Sequence, residues 1–149
     1  MIKAVLFDLD GTLYDRDAVA KVLFEEQYGA FAAELRGISR EMFLRDVHEM
    51  DEHGHGEKEP GYVRLVRGWQ LDDALAPRLF EHFLTTYEGL CVPSEDNANT
   101  LRELRERGLK LGVITNGPGP LQRRKLAALA LDRSFDAILV SGEEGVRKP

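Results

Sequence analysis

The spacing of hydrophobic positions changes several times along the chain, and each change marks an element. Residues 3–7 (KAVLF) are a short run of strand formers and predict a buried strand ending at Asp8. The long stretch after it keeps helical spacing. Val19, Val22 and Leu23 share one helical face, and Ser39 is placed to cap a second helix. In that second helix Phe43, Val47 and Met50 fall at i, i+4 and i+7. The polar, glycine-rich residues 53–60 (HGHGEKEP) predict a loop, and 62–69 a short helix. The clearest stripe is Leu75, Leu79, Phe80, Phe83, Leu84 and Tyr87. Pro77 requires that helix to begin close to it, because proline is tolerated only in a first turn.

After Cys91-Val92-Pro93 the pattern becomes an alternation. Ser94 predicts a helix N-cap, with Glu95 and Asp96 at the positive end of the dipole. Ala98, Leu101 and Leu104 supply its apolar face, and Gly108 ends it. Residues 109–115 (LKLGVIT) predict a second strand, 116–120 (NGPGP) a loop, 121–131 a helix and 137–140 (AILV) a third strand. A first strand, a helical insertion, then helix, strand, helix, strand argues for an α/β fold with parallel strands and helical crossovers.

Composition narrows the class. The chain has 149 residues, 43% hydrophobic and 31% charged, enough apolar material for a core in one domain or a small core with an insertion. A net charge of −6 gives no reason to expect nucleic acid or an anionic membrane as partner. The single cysteine, Cys91, excludes an internal disulfide and reads as a small buried residue. The opening MIKAVLFDLD is neither a signal peptide nor a span, and no later run approaches the roughly 18 apolar residues a membrane helix needs. The expected setting is the cytoplasm.

Ligands of an open parallel sheet bind at the carboxyl ends of its strands. Asp8 and Asp10 follow the first strand, Thr115 and Asn116 end the second, and Lys148 lies several residues past the third. Two acids, a hydroxyl and an ammonium converging on one point would suit a phosphoryl group attacked by a carboxylate. Asp8-Leu9-Asp10-Gly11 alone can also be read as a strand-ending turn, since Asp and Gly are common turn residues. The other features, arriving in order, favour the catalytic reading.

In these residues the chain resembles the haloacid dehalogenase-like (HAD) superfamily of aspartate-nucleophile phosphotransferases. Asp8-Leu9-Asp10-Gly11-Thr12 is similar to its first motif, Val113-Ile114-Thr115-Asn116-Gly117 to its second, and Val146-Arg147-Lys148-Pro149 to its third. The resemblance implies a Rossmann-like parallel sheet core, residues 1–14 and 92–149, with an inserted α-helical cap at 15–91. It implies Asp8 as nucleophile, forming an aspartyl-phosphate, and Asp10 as the acid that protonates the leaving alcohol and then the base that activates water. Lys148 is implied to neutralise charge on the phosphoryl group and Asp8. Thr115, Asn116, Gly117 and Thr12 are the implied substrate-binding residues, and Asp8 with Asp10 the implied Mg²⁺ ligands, Asp10 through its backbone carbonyl. The expected activity is Mg²⁺-dependent hydrolysis of a small phosphorylated metabolite. Asp10 disfavours a dehalogenase, because a halide leaves without a proton. A sugar phosphomutase shares the motifs, and a non-catalytic remnant that binds phosphate or a partner protein is the alternative of another class.

The chain ends before the family's fourth motif, an acidic cluster that completes the metal site, and before the strand that lies beside the first. The core is therefore expected to be incomplete at its C-terminus, with an exposed sheet edge. The chain is expected to be a fragment or truncated product, or to form a homodimer in which another copy supplies that edge. Other clusters suggest less. His48 and His53 are five apart, so their rings diverge by about 140° on a helix and do not match a zincin. His53 and His55 belong to a solvated loop rather than a chelate, and Arg123-Arg124-Lys125 reads as a solvated helix face. Trp69 and the aromatics near it are expected in the core of the helical insertion.

Overall fold

A computed structural model describes residues 2–148. In chain order its elements are β1 (Ala4–Phe7), α1 (Arg16–Ala30), α2 (Arg40–Asp51), α3 (Lys58–Gly68), α4 (Leu75–Leu90), α5 (Glu95–Glu106), β2 (Lys110–Thr115), α6 (Gly119–Ala128), β3 (Ala137–Val140) and α7 (Ser141–Glu144). A 3₁₀ turn, Glu52–Gly54, separates α2 from α3. The residues form two compact units. One runs to Asp15 and resumes at Cys91, and the other is Arg16–Leu90.

The first unit is built on a three-stranded parallel sheet in the order β1-β2-β3, as the alternating pattern requires. Phe7 lies opposite Val113, and Thr115 opposite Val140, so the carboxyl ends of all three strands lie at one side. Leu111 and Val113 of the central strand are buried. β1 departs from the expectation of a buried strand. Ala4 and Leu6 are exposed and Val5 and Phe7 only half-buried, because among the described residues β1 has a partner on one edge only. Its neighbour Ile2 is also exposed. Ser94 caps α5, its hydroxyl accepting from the Asn97 amide at 3.3 Å. On that helix only Leu101 is buried; Ala98, placed on the apolar face by its spacing, is exposed. α6 begins two residues before its expected start, with Pro120 in the first turn.

The second unit packs four helices over an aromatic core in which Phe24, Phe43, Tyr62, Phe83 and Tyr87 are fully buried. Trp69 joins it, 5.5 Å from Phe43 between ring centroids. Ser39 caps α2 by accepting from the Met42 amide, and the buried face of that helix is the expected Phe43, Val47 and Met50. On α1 the buried stripe is Ala20, Leu23, Phe24 and Gln27, not the expected face with Val22, which is exposed. The true stripe runs i, i+3, i+4, i+7 and includes a glutamine, which hydropathy alone passes over. Gln27 is satisfied there. It accepts from the Tyr62 hydroxyl at 2.9 Å and donates to the Leu79 carbonyl at 2.9 Å. The loop expected over residues 53–60 is shorter, because α3 already starts at Lys58 and takes Pro60 into its first turn.

A buried charge cluster closes that short loop. Asp51, 2% exposed, pairs with Arg16 of α1. The Lys58 ammonium stands 3.0 Å from the second Asp51 oxygen, close enough for attraction, while its best-aimed hydrogen bond goes to the Gly56 carbonyl at 2.6 Å. These contacts span consecutive left-handed residues, Glu52, His53 and Gly54. Among the described residues no helix is long and apolar enough to cross a membrane. Removing Asp51 strands two cations in a dry site. Asp51→Ala is expected to cost about 3–5 kcal/mol of stability, read as a lowered urea midpoint.

Candidate active site

The turn after β1 alternates acid, apolar, acid. Leu9 is fully buried, while Asp8 and Asp10 on either side keep their carboxylates partly open to solvent. The chain then closes on itself, with the Thr12 and Leu13 amides both donating to the Leu9 carbonyl, at 3.3 and 3.0 Å. Gly11 takes a φ of +78° in this turn, a value that side chains resist. Buried Leu13 anchors its far end, and Asn97 of α5 donates to the Leu13 carbonyl. Thr12 is exposed on this turn and contributes its backbone to the closure.

Lys148 reaches the same place from beyond α7. Its ammonium lies 2.5 Å from Asp8 Oδ1 and donates to the Ile114 carbonyl, at 3.1 Å, near the end of β2. Asp8 Oδ1 also accepts from the Leu9 amide at 2.7 Å, which leaves Oδ2 without a donor among the described residues. What aims Lys148 is Asn116. The Asn116 side chain accepts from the Lys148 amide at 3.0 Å and donates to the Lys148 carbonyl at 3.2 Å. These two bonds commit its amide group to the backbone of the third motif, so the side chain acts on Lys148 and is not a free phosphate ligand. Gly117 is committed as well. Its amide donates to Ser141 Oγ at 3.0 Å and its carbonyl accepts from the Gly142 amide at 3.0 Å. A Cβ on Gly142 would stand 2.7 Å from that carbonyl, so only glycine permits the approach. Pro149, which closes the third motif, lies outside the described residues.

Asp10 faces α6. Lys125 Nζ lies 2.7 Å from Oδ1, the Tyr14 hydroxyl donates to the same oxygen, and Gln122 Nε2 donates to Oδ2 at 2.7 Å. Gln122 Nε2 also donates to the Thr115 hydroxyl oxygen at 2.6 Å, so Thr115, itself buried, is tied to Asp10 through one amide. Burial by itself would raise the Asp10 carboxyl. The Lys125 charge and the hydrogen bonds from Lys125, Tyr14 and Gln122 outweigh it and hold Asp10 below the ordinary carboxylate value. The sheet end thus carries two bonded groups, Asp8 with Lys148 and Asp10 with Thr115 through Gln122. Lys125 is the clearest departure from the sequence expectation: it is buried against Asp10, not part of a solvated face. Its neighbour Arg123 does face outward, in an exposed pair with Glu143. The signal that finds Gln122 and Lys125 is their spacing. With Gly119 and Leu126 they form the buried stripe of α6.

Two neighbouring carboxylates in different surroundings can divide nucleophilic and proton-transfer work. For magnesium, the donors on hand are the Asp8 carboxylate and the backbone of Asp10. Such a pair suits an ion that takes one or two carboxylates and completes its shell with water and substrate phosphate. Among the described residues no third acidic, histidine or cysteine side chain joins them to make a closed cluster.

Comparison with known proteins agrees with this geometry. Residues 2–149 match the family model of haloacid dehalogenase-like hydrolases. The glyceraldehyde 3-phosphate phosphatase of Methanopyrus kandleri is 32% identical over 157 aligned residues, covering 100% of this chain and 66% of the relative. The (S)-2-haloacid dehalogenase of Pseudomonas fluorescens is 29% identical, covering 99% of this chain and 66% of its own length. The chain thus spans about two thirds of the length of these curated relatives. Among solved structures, that of YfnB from Bacillus subtilis bound to magnesium superimposes with a TM-score of 0.57 at 23% identity, over 99% of this chain and 67% of that one. That likeness supports the shared fold.

The Asn116 clamp has a direct readout. Asn116→Ala removes both bonds to the Lys148 backbone, and hydrogen exchange at the Lys148 amide is expected to accelerate about tenfold, the equivalent of about 1.4 kcal/mol.

Proposed function

We infer that this chain, which belongs to the haloacid dehalogenase-like hydrolases, carries the reacting groups of a magnesium-dependent phosphoric monoester hydrolase. The observation that carries the reading is the pairing at the sheet end: Asp8 held by Lys148 at 2.5 Å, and Asp10, two residues on, held by three other donors. Asp8 Oδ2, the oxygen without a donor, attacks phosphorus, and the bond from phosphorus to the alcohol oxygen breaks. Asp10, which takes up one proton from solvent on its open Oδ2 position before that bond breaks, delivers it to the departing oxygen. Water then attacks the aspartyl-phosphate, gives its proton to Asp10 and releases phosphate, and Asp8 is restored. Lys148 balances the negative charge gathered between Asp8 and the phosphoryl oxygens, and Thr115 offers its hydroxyl proton to one of them. Magnesium, held by Asp8 and Asp10, would supply further charge neutralisation at the phosphoryl group. Asn116 and Gly117 enter this scheme as supports: the first sets Lys148, and the second fastens the end of β2 to Ser141 and Gly142. Thr12, exposed on the same turn, is left open to a substrate oxygen.

The presence of a second acid, Asp10, two residues after Asp8 favours phosphoryl transfer over dehalogenation, because a halide leaves without a proton. The glyceraldehyde 3-phosphate phosphatase among the relatives supports a small phosphorylated metabolite as substrate. The helical unit, Arg16–Leu90, inserted directly after the catalytic turn, is assigned the part of a cap that selects it. The open edge of β1, with exposed Ile2 and Leu6 near it, supports pairing along that edge with a further strand or a second copy.

The test is turnover of 4-nitrophenyl phosphate with Mg²⁺ by the complete protein that carries this chain. Asp8→Asn is expected to lower kcat by at least about 10³-fold. Chelation of Mg²⁺ is expected to stop turnover, and its return to restore it. Equal rates for the wild type and Asp8→Asn would refute nucleophilic catalysis by Asp8.

A further inference from the structure

We propose that Gln122 and Lys125, three residues apart on α6, are positioning residues that fix the Asp10 carboxylate so that one place on Oδ2 stays open for the transferred proton. The inference rests on the phosphomonoesterase reading above and extends it to two residues outside the three motifs.

The geometry of the acceptors carries it. An ionised carboxylate has about four acceptor positions, two on each oxygen. Lys125 and Tyr14 fill both positions on Oδ1, and Gln122 fills one on Oδ2. One position on Oδ2 remains. The Gln122 amide orientation is forced, since turning it over would place Oε1 against the Asp10 carboxylate. Both hydrogens of Nε2 are then used, one on Asp10 and one on Thr115 Oγ1. Because the Thr115 oxygen accepts from Gln122, the remaining hydroxyl proton points elsewhere and is the donor Thr115 has for substrate. A single buried amide thereby sets the direction of the proton-transfer group and of a phosphate donor together.

A purely structural role accounts poorly for these side chains. Gln122 is 1% exposed and Lys125 7% exposed on an otherwise ordinary helix. Burying an ammonium beside a carboxylate is weak support for stability, and an apolar pair of the same size often serves as well. Orientation is the property an apolar pair cannot supply.

Leaving-group dependence separates the two roles. Departure of an alkyl alcohol needs a proton, whereas 4-nitrophenolate leaves with little help. kcat/KM reads the reaction only through that departure, so later use of Asp10 as a base does not enter. In the complete protein, Lys125→Met and Gln122→Met are each expected to lower kcat/KM about 10²-fold for glycerol phosphate and less than about threefold for 4-nitrophenyl phosphate. Asp10→Asn should give the same split, and adding Lys125→Met to it should cost nothing more. Lys125→Arg, which keeps a charged donor, should recover most of the loss. The two single variants act through separate bonds, so one that fails to fold leaves the other as the test. Equal losses on both substrates, or full additivity with Asp10→Asn, would overturn the proposal. Failure of the underlying reading looks different: Asp8→Asn would then hydrolyse both substrates like the wild type.

Discussion

The hydrogen-bonded register between β1 and β2 is the constraint from which the site follows. Four residues of β1 pair with four of β2, ending with Phe7 against Val113. The groups of the candidate site are placed relative to that last pair. Asp8 is the next residue on one strand, Thr115 is two residues on along the other, and the carbonyl of Ile114 between them receives Lys148. Because side chains alternate along a strand and the ladder fixes pairing, slipping by one residue would turn Thr115 away and unseat Lys148 together. Gly112, opposite Leu6, fits this close pairing: a Cβ there would meet the Leu6 side chain at 2.7 Å.

On this frame the charges are sorted one to one. Asp8 takes Lys148, whose side chain is 30% exposed, and Asp10 takes Lys125, whose side chain is 8% exposed. The difference in burial has chemical meaning. The more open cation is reachable by solvent, while the buried one is enclosed with its carboxylate. Neutral side chains hold the cations and acids in place: Asn116 grips the backbone of Lys148, and Gln122 joins Asp10 to Thr115. Amides suit this work because they donate and accept in fixed directions without adding charge.

The helical unit solves a separate problem with similar means. Its core is aromatic, and its polar members are either satisfied, as Gln27 is by Tyr62 and Leu79, or paired, as Asp51 is by Arg16 and Lys58. Burial pushes the Tyr62 phenol upward, so it stays neutral and serves as a donor to Gln27. The Asp51 cluster holds a left-handed stretch of chain that composition alone marks only as glycine-rich.

The sequence by itself determined the element order, the parallel sheet, the caps at Ser39 and Ser94 and the family, because these depend on local periodicity and on short motifs. It also expected Asp8, Asp10, Thr115 and Lys148 at one end of the sheet, where they lie, since parallel strands deliver their carboxyl ends to one side. Its errors share a cause. Val22, Ala98 and Lys125 were judged by hydropathy and spacing within their own helices, but burial is decided by what the neighbouring element presents. An apolar residue with nothing packed over it stays exposed, and a lysine facing a carboxylate 115 positions away is drawn inside. The second role of Asn116, the commitment of Gly117 and the bridge from Gln122 to Thr115 and Asp10 were decided by tertiary structure alone. Directional hydrogen bonds between distant residues leave no periodic trace in the chain.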